Sequence, residues 1–126
     1  MNHEKNKIRE INDNLLEKSI AQLPTELQAE FTIHHSDNEP YDAVIELTLG
    51  ELRVPFYAEC KTIHRKESLR YFLTHDDSTQ RLLIFNALSP FLRDYCHKHH
   101  INYIDSAGNA RVVGAGVYIL IQGKFN

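Results

Sequence analysis

Between Glu39 and Thr62 the chain reads EPYDAVIELTLGELRVPFYAECKT, two apolar-alternating arms joined at Gly50-Glu51. Glycine at the first central position of a two-residue loop fits a type II′ turn, whose twist matches the strands it joins. That turn sets Leu49 opposite Leu52, so the numbers of facing residues sum to 101. Alternation then gathers Ala43, Ile45, Leu47 and Leu49 on one face with Val54, Phe56, Ala58 and Cys60. The other face carries Asp42, Glu59 and Lys61, with Asp42 directly across from Glu59. Opposed carboxylates repel, and folding alone gives no reason to place them there. A metal ion or a shared proton makes the pair tolerable, which points to a metal site. The bland alternative is a solvated cross-strand cluster neutralised by Lys61. Pro55 faces Glu46, so the ladder bond it cannot donate is lost on one side only.

Around this hairpin the periodicity predicts further elements. Ile8, Ile11, Leu15, Leu16, Ile20 and Leu23 recur at spacings of three and four, giving an amphipathic helix over 4–22 that Pro24 stops. Ala29, Phe31 and Ile33 alternate with polar neighbours, predicting a strand over 28–34, and residues 36–40 read as a loop. Leu69, Phe72 and Leu73 mark a short helix over 67–73, broken by the polar run 75–78. The apolar run 81–86 reads as a strand buried on both faces. Ser89-Pro90 then opens a helix to about His99, with serine as N-cap and Phe91, Leu92 and Tyr95 inward. Strands are predicted at 101–104, 110–113 and 117–121, with a capped turn over 105–109 in which Gly108 or Asn109 takes positive φ. The order is α-β-β-β-α-β-α-β-β-β: a meander, then a β-α-β passage that favours a parallel crossover. The expected fold class is α/β, one domain over 1–126, with a single mixed sheet flanked by helices.

Composition narrows the function classes. At 126 residues, 42% hydrophobic, one core is sustainable without disulfides or a structural metal. Two cysteines at no zinc-like or redox-like spacing point to a reducing compartment. No apolar run approaches the roughly 20 residues of a membrane span, and the polar start is unlike a signal peptide. The expectation is a cytoplasmic protein with no membrane role. Net charge is 14 − 17 = −3, which argues against a general nucleic-acid coat. Its distribution is polar: residues 1–60 hold five Lys/Arg against twelve Asp/Glu, and residues 61–126 hold nine against five. An anionic partner therefore belongs beside the second half. His97 and His100, three apart, suit one ion on a helix, but cations near a helix C-terminus need no more than the dipole to explain them.

Pro40-Tyr41-Asp42 opening the second strand and Glu59-Cys60-Lys61 ending the third, within the order helix, meander, helix, strand, resemble the PD-(D/E)XK nuclease superfamily. A second likeness lies over 82–123. Its centre, Ile101-Asn102-Tyr103-Ile104-Asp105-Ser106-Ala107-Gly108-Asn109, resembles the "INYxDxxGN" segment of the nuclease-like domain of abortive-infection antitoxin regulators. The first resemblance implies a restriction-endonuclease-like core, α-β-β-β-α-β, here with extra C-terminal strands. The second implies a regulator whose domain usually accompanies a winged-helix module, or a partner protein; the chain ends at Asn126 without room for that module.

The chemistry implied is phosphodiester hydrolysis with Mg²⁺ or Mn²⁺, hard cations that take carboxylate oxygens. Asp42 and Glu59 would supply two ligands, the Cys60 backbone carbonyl a third, and Lys61 would orient or deprotonate the attacking water. His64, Arg65, Lys66 and Arg70 lie where a nucleic-acid backbone would approach. Active relatives often carry a glutamine in the helix after the lysine; here Gln80 comes later, at a strand start. The alternative is an inactive module of the same fold that serves protein or DNA interaction. Cys60 alternates inward and is expected to be an inert core thiol.

Overall fold

The computed structural model describes residues 2–35, 41–70 and 80–124. Helix α1 (Asn2–Ala21) leads through a 3₁₀ turn (Thr25–Leu27) into β1 (Glu30–His35), β2 (Ala43–Leu49) and β3 (Leu52–Lys61). Helix α2 (Lys66–Arg70), β4 (Arg81–Phe85) and α3 (Pro90–Lys98) follow, then β5 (Tyr103–Asp105), β6 (Ala110–Gly114) and β7 (Val117–Ile121). All seven strands form one sheet whose spatial order equals the chain order. The pairs β3–β4 and β4–β5 are parallel and the other four are antiparallel. The expected mixed sheet is therefore present, with one strand for each predicted run. The predicted loop over 36–40, the end of the predicted short helix and the break after it lie outside the described residues.

The hairpin register is the one the turn dictates: Leu49 pairs with Leu52 and Ala43 with Ala58, with Pro55 facing Glu46. Gly50 has φ 63 while Glu51 stays on the negative side, as a type II′ turn requires. The face carrying Ala43, Ile45, Leu47, Val54, Phe56, Ala58 and Cys60 is buried together with Leu82, Ile84, Val112, Val117 and Ile119, and Leu16 of α1 packs into it. On the opposite face Leu83, Phe85 and Tyr103 pack with Leu69 of α2 and with Leu92 and Cys96 of α3. Strand β4 thus feeds both cores, which is why its sequence is continuously apolar rather than alternating.

Two expected core residues lie elsewhere. Ile11 is 60% exposed. Asn12 is the residue turned to the end of the sheet, where it meets Asp42 and Cys60, and Ile11 lies one side-chain step around the helix from it. Phe91 is 62% exposed, and Cys96 is fully buried in its stead. Leu92 and Cys96, four apart, form the inward line of α3, and Phe91 sits a full side-chain step around the helix from it. Strand β5 begins at Tyr103 rather than Ile101, because His100 takes φ 58 and the chain reverses there. Ser89 caps α3 as expected, its Oγ accepting from Leu92 N–H at 3.3 Å.

Candidate functional site

Asp42 stands immediately before β2, where regular pairing stops. Its N–H donates to the Ala58 carbonyl at 2.9 Å. The carboxylate then closes the ladder: Oδ2 accepts Cys60 N–H at 2.7 Å and Oδ1 accepts Asn12 Nδ2–H at 3.2 Å. A side-chain oxygen thus stands where a strand carbonyl would, and Asp42 is turned toward α1. The Cys60 thiol donates to the Asn12 carbonyl at 3.4 Å. Burial, then the charges of Asp42 and Asp13, push that thiol up to about 12, so it stays protonated and inert.

Glu59 goes the other way. It is buried, with Leu83 as its neighbour on β4. Its Oε2 accepts from Arg81 Nε at 3.0 Å and Nη2 at 2.6 Å. Arg81 is brought there because it pairs with Tyr57 in the parallel β3–β4 ladder, two residues before Glu59. Tyr41 packs against Tyr57 with ring centroids 4.9 Å apart and planes tilted by 37°. The two side chains of the ion pair are 18% and 10% exposed. Removing one partner of such a pair leaves a buried charge, so Arg81→Ala should cost roughly 2–4 kcal/mol in chemical denaturation, and adding Glu59→Gln should recover part of it.

Lys61, His64 and Arg65 are exposed and Lys66 is half-buried; the Arg70 side chain lies outside the described residues. The turn that presents them is fixed by Asn86, whose side-chain Oδ1 accepts Ile63 N–H at 2.6 Å and whose Nδ2 donates to Ile63 O at 3.0 Å. An amide side chain here continues the β3–β4 pairing by one more residue. Gln80, the first glutamine after Lys61, donates to the Pro55 carbonyl and serves the start of β4.

The hairpin therefore places Asp42, Glu59 and Lys61 at one end of the sheet, yet the two carboxylates serve different partners on different sides of it. Mg²⁺ or Mn²⁺ asks for oxygens with free lone pairs converging on one point. Here Glu59 is matched by a guanidinium, and both Asp42 oxygens accept hydrogen bonds from the protein. Among the described residues no group of three or more His, Cys, Asp or Glu side chains converges as a metal cage would. In this arrangement the two carboxylates are aimed at different partners and do not converge on one point. Arg81 is the residue that sequence reasoning missed. Its signal was a cation opening an otherwise apolar strand.

The 101–109 segment is a second polar centre, and its work is structural. Asp105 is fully buried. Its Oδ1 accepts from Ala107 N–H at 3.0 Å and Asn109 N–H at 2.9 Å, and its Oδ2 accepts from Leu88 N–H at 3.2 Å. Asn109 in turn exchanges hydrogen bonds with the Lys124 backbone through both ends of its amide. Asn102 accepts from Val113 N–H and Arg111 and donates to Val113 O, bracing β6. The segment that carried the second resemblance thus fastens α3, β5, β6 and the C-terminal stretch together.

Beside it, His97 Nε2 lies within hydrogen-bond distance of the Tyr103 hydroxyl at 3.1 Å and of Gln122 Nε2 at 3.2 Å. Burial, then the Arg111 charge, hold its imidazole below the usual histidine range. His100 has left the helix and touches Arg111, so the two histidines do not share a helical face. The neutral His97 ring is favoured in the folded state. Its contribution to stability is complete above the unfolded pKa of about 6.5 and is lost as pH falls from there through the lower folded value. Wild-type protein should accordingly lose more stability than His97→Gln between about pH 7 and about pH 5 in parallel denaturation series.

No known protein family, curated protein or solved structure matches this chain.

Proposed function

We propose that this chain is a non-catalytic, nuclease-like module of an antitoxin-type regulator, which docks nucleic acid at the cationic end of β3. The carrying observation is the occupation of both candidate ligands: Glu59 by Arg81, and Asp42 by Cys60 N–H and Asn12. Support for the fold likeness comes from the order α-β-β-β-α-β with a parallel β3–β4 step. Lys61 and Arg65, exposed at that end and joined by Lys66, supply the positive charge a phosphate backbone attracts, with the exposed His64 beside them. In this reading the acidic residues hold the sheet end in shape, and the lysine that would serve a nuclease contacts phosphate instead.

Fluorescence anisotropy with labelled DNA and RNA oligonucleotides tests the binding. Lys61→Ala and Arg65→Ala should each weaken it similarly across sequences and lower the salt slope by about one. Equal binding by both variants sinks the proposal. The competing reading, hydrolysis with Mg²⁺ or Mn²⁺ at Asp42, Glu59 and Lys61, has the shared hairpin end in its favour and requires Arg81 to be displaced. Under that reading Mn²⁺ raises the melting temperature of the wild type, nucleic acid is cut, and Lys61→Ala abolishes cutting. Under ours, none of these occurs.

A further inference from the structure

Among the described residues no strand pairs with the outer edge of β7. The two-residue turn at Ala115-Gly116, with φ 51 and 88, is closed by the pair Gly114 and Val117. In such a hairpin the closing pair is hydrogen-bonded, so Val117, Ile119 and Ile121 spend their backbone groups on β6. The N–H and C=O of Tyr118 and Leu120 therefore point outward. These two residues also carry exposed apolar side chains, at 73% and 45%. The strand reads VYILI, with no charge, proline or glycine to discourage pairing. The opposite edge, β1, is guarded: Glu30, His34 and His35 are exposed, and His35 is tied to Asp13 of α1 at 3.1 Å. Natural sheets rarely leave an edge like β7 open.

We propose that two copies of this chain pair β7 to β7 in antiparallel fashion about a two-fold axis through Ile119. The register follows from the backbone. Only when facing numbers sum to 238 does each outward residue, Tyr118 or Leu120, meet an outward residue of the second copy as a hydrogen-bonded pair. Tyr118 then lies across from Leu120 of the other copy, twice, making one apolar cluster from the side chains now exposed. Ile119 meets its own counterpart at the non-bonded position. An isologous interface must be self-complementary, and an uncharged strand brings no like charges together on the axis. Pairing β7 with β1 of another copy would instead build an open chain and oppose the charged edge. This inference is independent of what the cationic end of β3 binds.

Sedimentation velocity and amide hydrogen exchange on the full chain test it. The expected result is a concentration-dependent dimer in which the Tyr118 and Leu120 amides are protected, and lose protection on dilution. Tyr118→Lys and Leu120→Lys, both at exposed positions, should each weaken association by about tenfold or more, with circular dichroism unchanged. A monomer at every concentration overturns the proposal. So does a dimer in which both amides exchange freely, or a dimer that both lysine variants leave intact. Protection that arises only when a different protein is added also overturns it.

Discussion

Gly108→Ala should lower stability by roughly 3 kcal/mol, the sum of an unfavourable backbone conformation and overpacking. Gly108 has φ +96, a region that L side chains rarely adopt, and a Cβ built there would meet the Gln22 carbonyl oxygen at 2.9 Å and Gln22 Cβ at 3.0 Å. Neither neighbour is the free end of a flexible chain. The carbonyl belongs to the turn leaving α1, whose backbone is held by bonds from Gln22 N–H to Lys18 and Ser19. Relief must come from moving α1 away from the β5–β6 turn, at the cost of the bonds around Asp105. Thermal denaturation should show a midpoint lower by about 10 °C. A variant within about 2 °C of wild type would mean that the turn and α1 are not in contact.

Asp105→Asn should be at least as damaging, about 3–5 kcal/mol, although it changes one atom in shape hardly at all. The carboxylate is surrounded by donors: the backbone N–H groups of Leu88, Ala107 and Asn109, and the Asn109 amide. An asparagine side chain replaces one acceptor with an N–H₂ that faces those donors, so buried donors lose their partner and a clash of like dipoles is added. Because the same carboxylate joins the entry to α3 with the β5–β6 turn, both should loosen together. Equilibrium urea unfolding gives the magnitude, and amide exchange at Leu88 and Asn109 locates it. Retention of wild-type stability would show that these bonds are replaced by solvent at little cost.

The two residues were legible to different degrees in the sequence. A turn over 105–109 with positive φ at Gly108 or Asn109 follows from residue types alone, and Gly108 is the one that takes it. The depth of burial at Asp105 and Asn109 does not, since it depends on α1 and the Lys124 stretch, remote in the chain. The hairpin shows the same division. Its register was fixed by one glycine and strict alternation, and the pairs from Leu49–Leu52 to Ala43–Ala58 follow from it, while the expected Asp42–Glu59 pair falls beyond the last of them. Where Asp42 aims its carboxylate was not fixed, because alternation governs residues inside a ladder and Asp42 lies just outside one. Arg81 was hidden for another reason. The offset between two parallel strands is set by the connection between them, and the short helix and polar stretches of residues 62–80 give no basis for computing it. Phe91 and Ile11 misled because apolar spacing alone does not say which line of a helix faces inward, and each lies one step around from the residue that does.

The sheet's spatial order, identical to the chain order, has a consequence for how the protein acquires its structure. Each strand finds its partner in the segment just made, so no pairing waits for a distant part of the chain, and loop-closure entropy stays small at the hairpin steps. The β2–β3 hairpin and the β6–β7 hairpin can form early and separately, each closed by a two-residue turn. The parallel steps that join them, β3 to β4 and β4 to β5, require longer connections and come with the larger entropic barrier. Folding kinetics should therefore be governed by the middle of the sheet, and substitutions at Leu83 and Ile84 should slow folding more than equally destabilising ones at Val54 or Val117. The hairpins on either side form early and are joined late, around a centre that is slow to close.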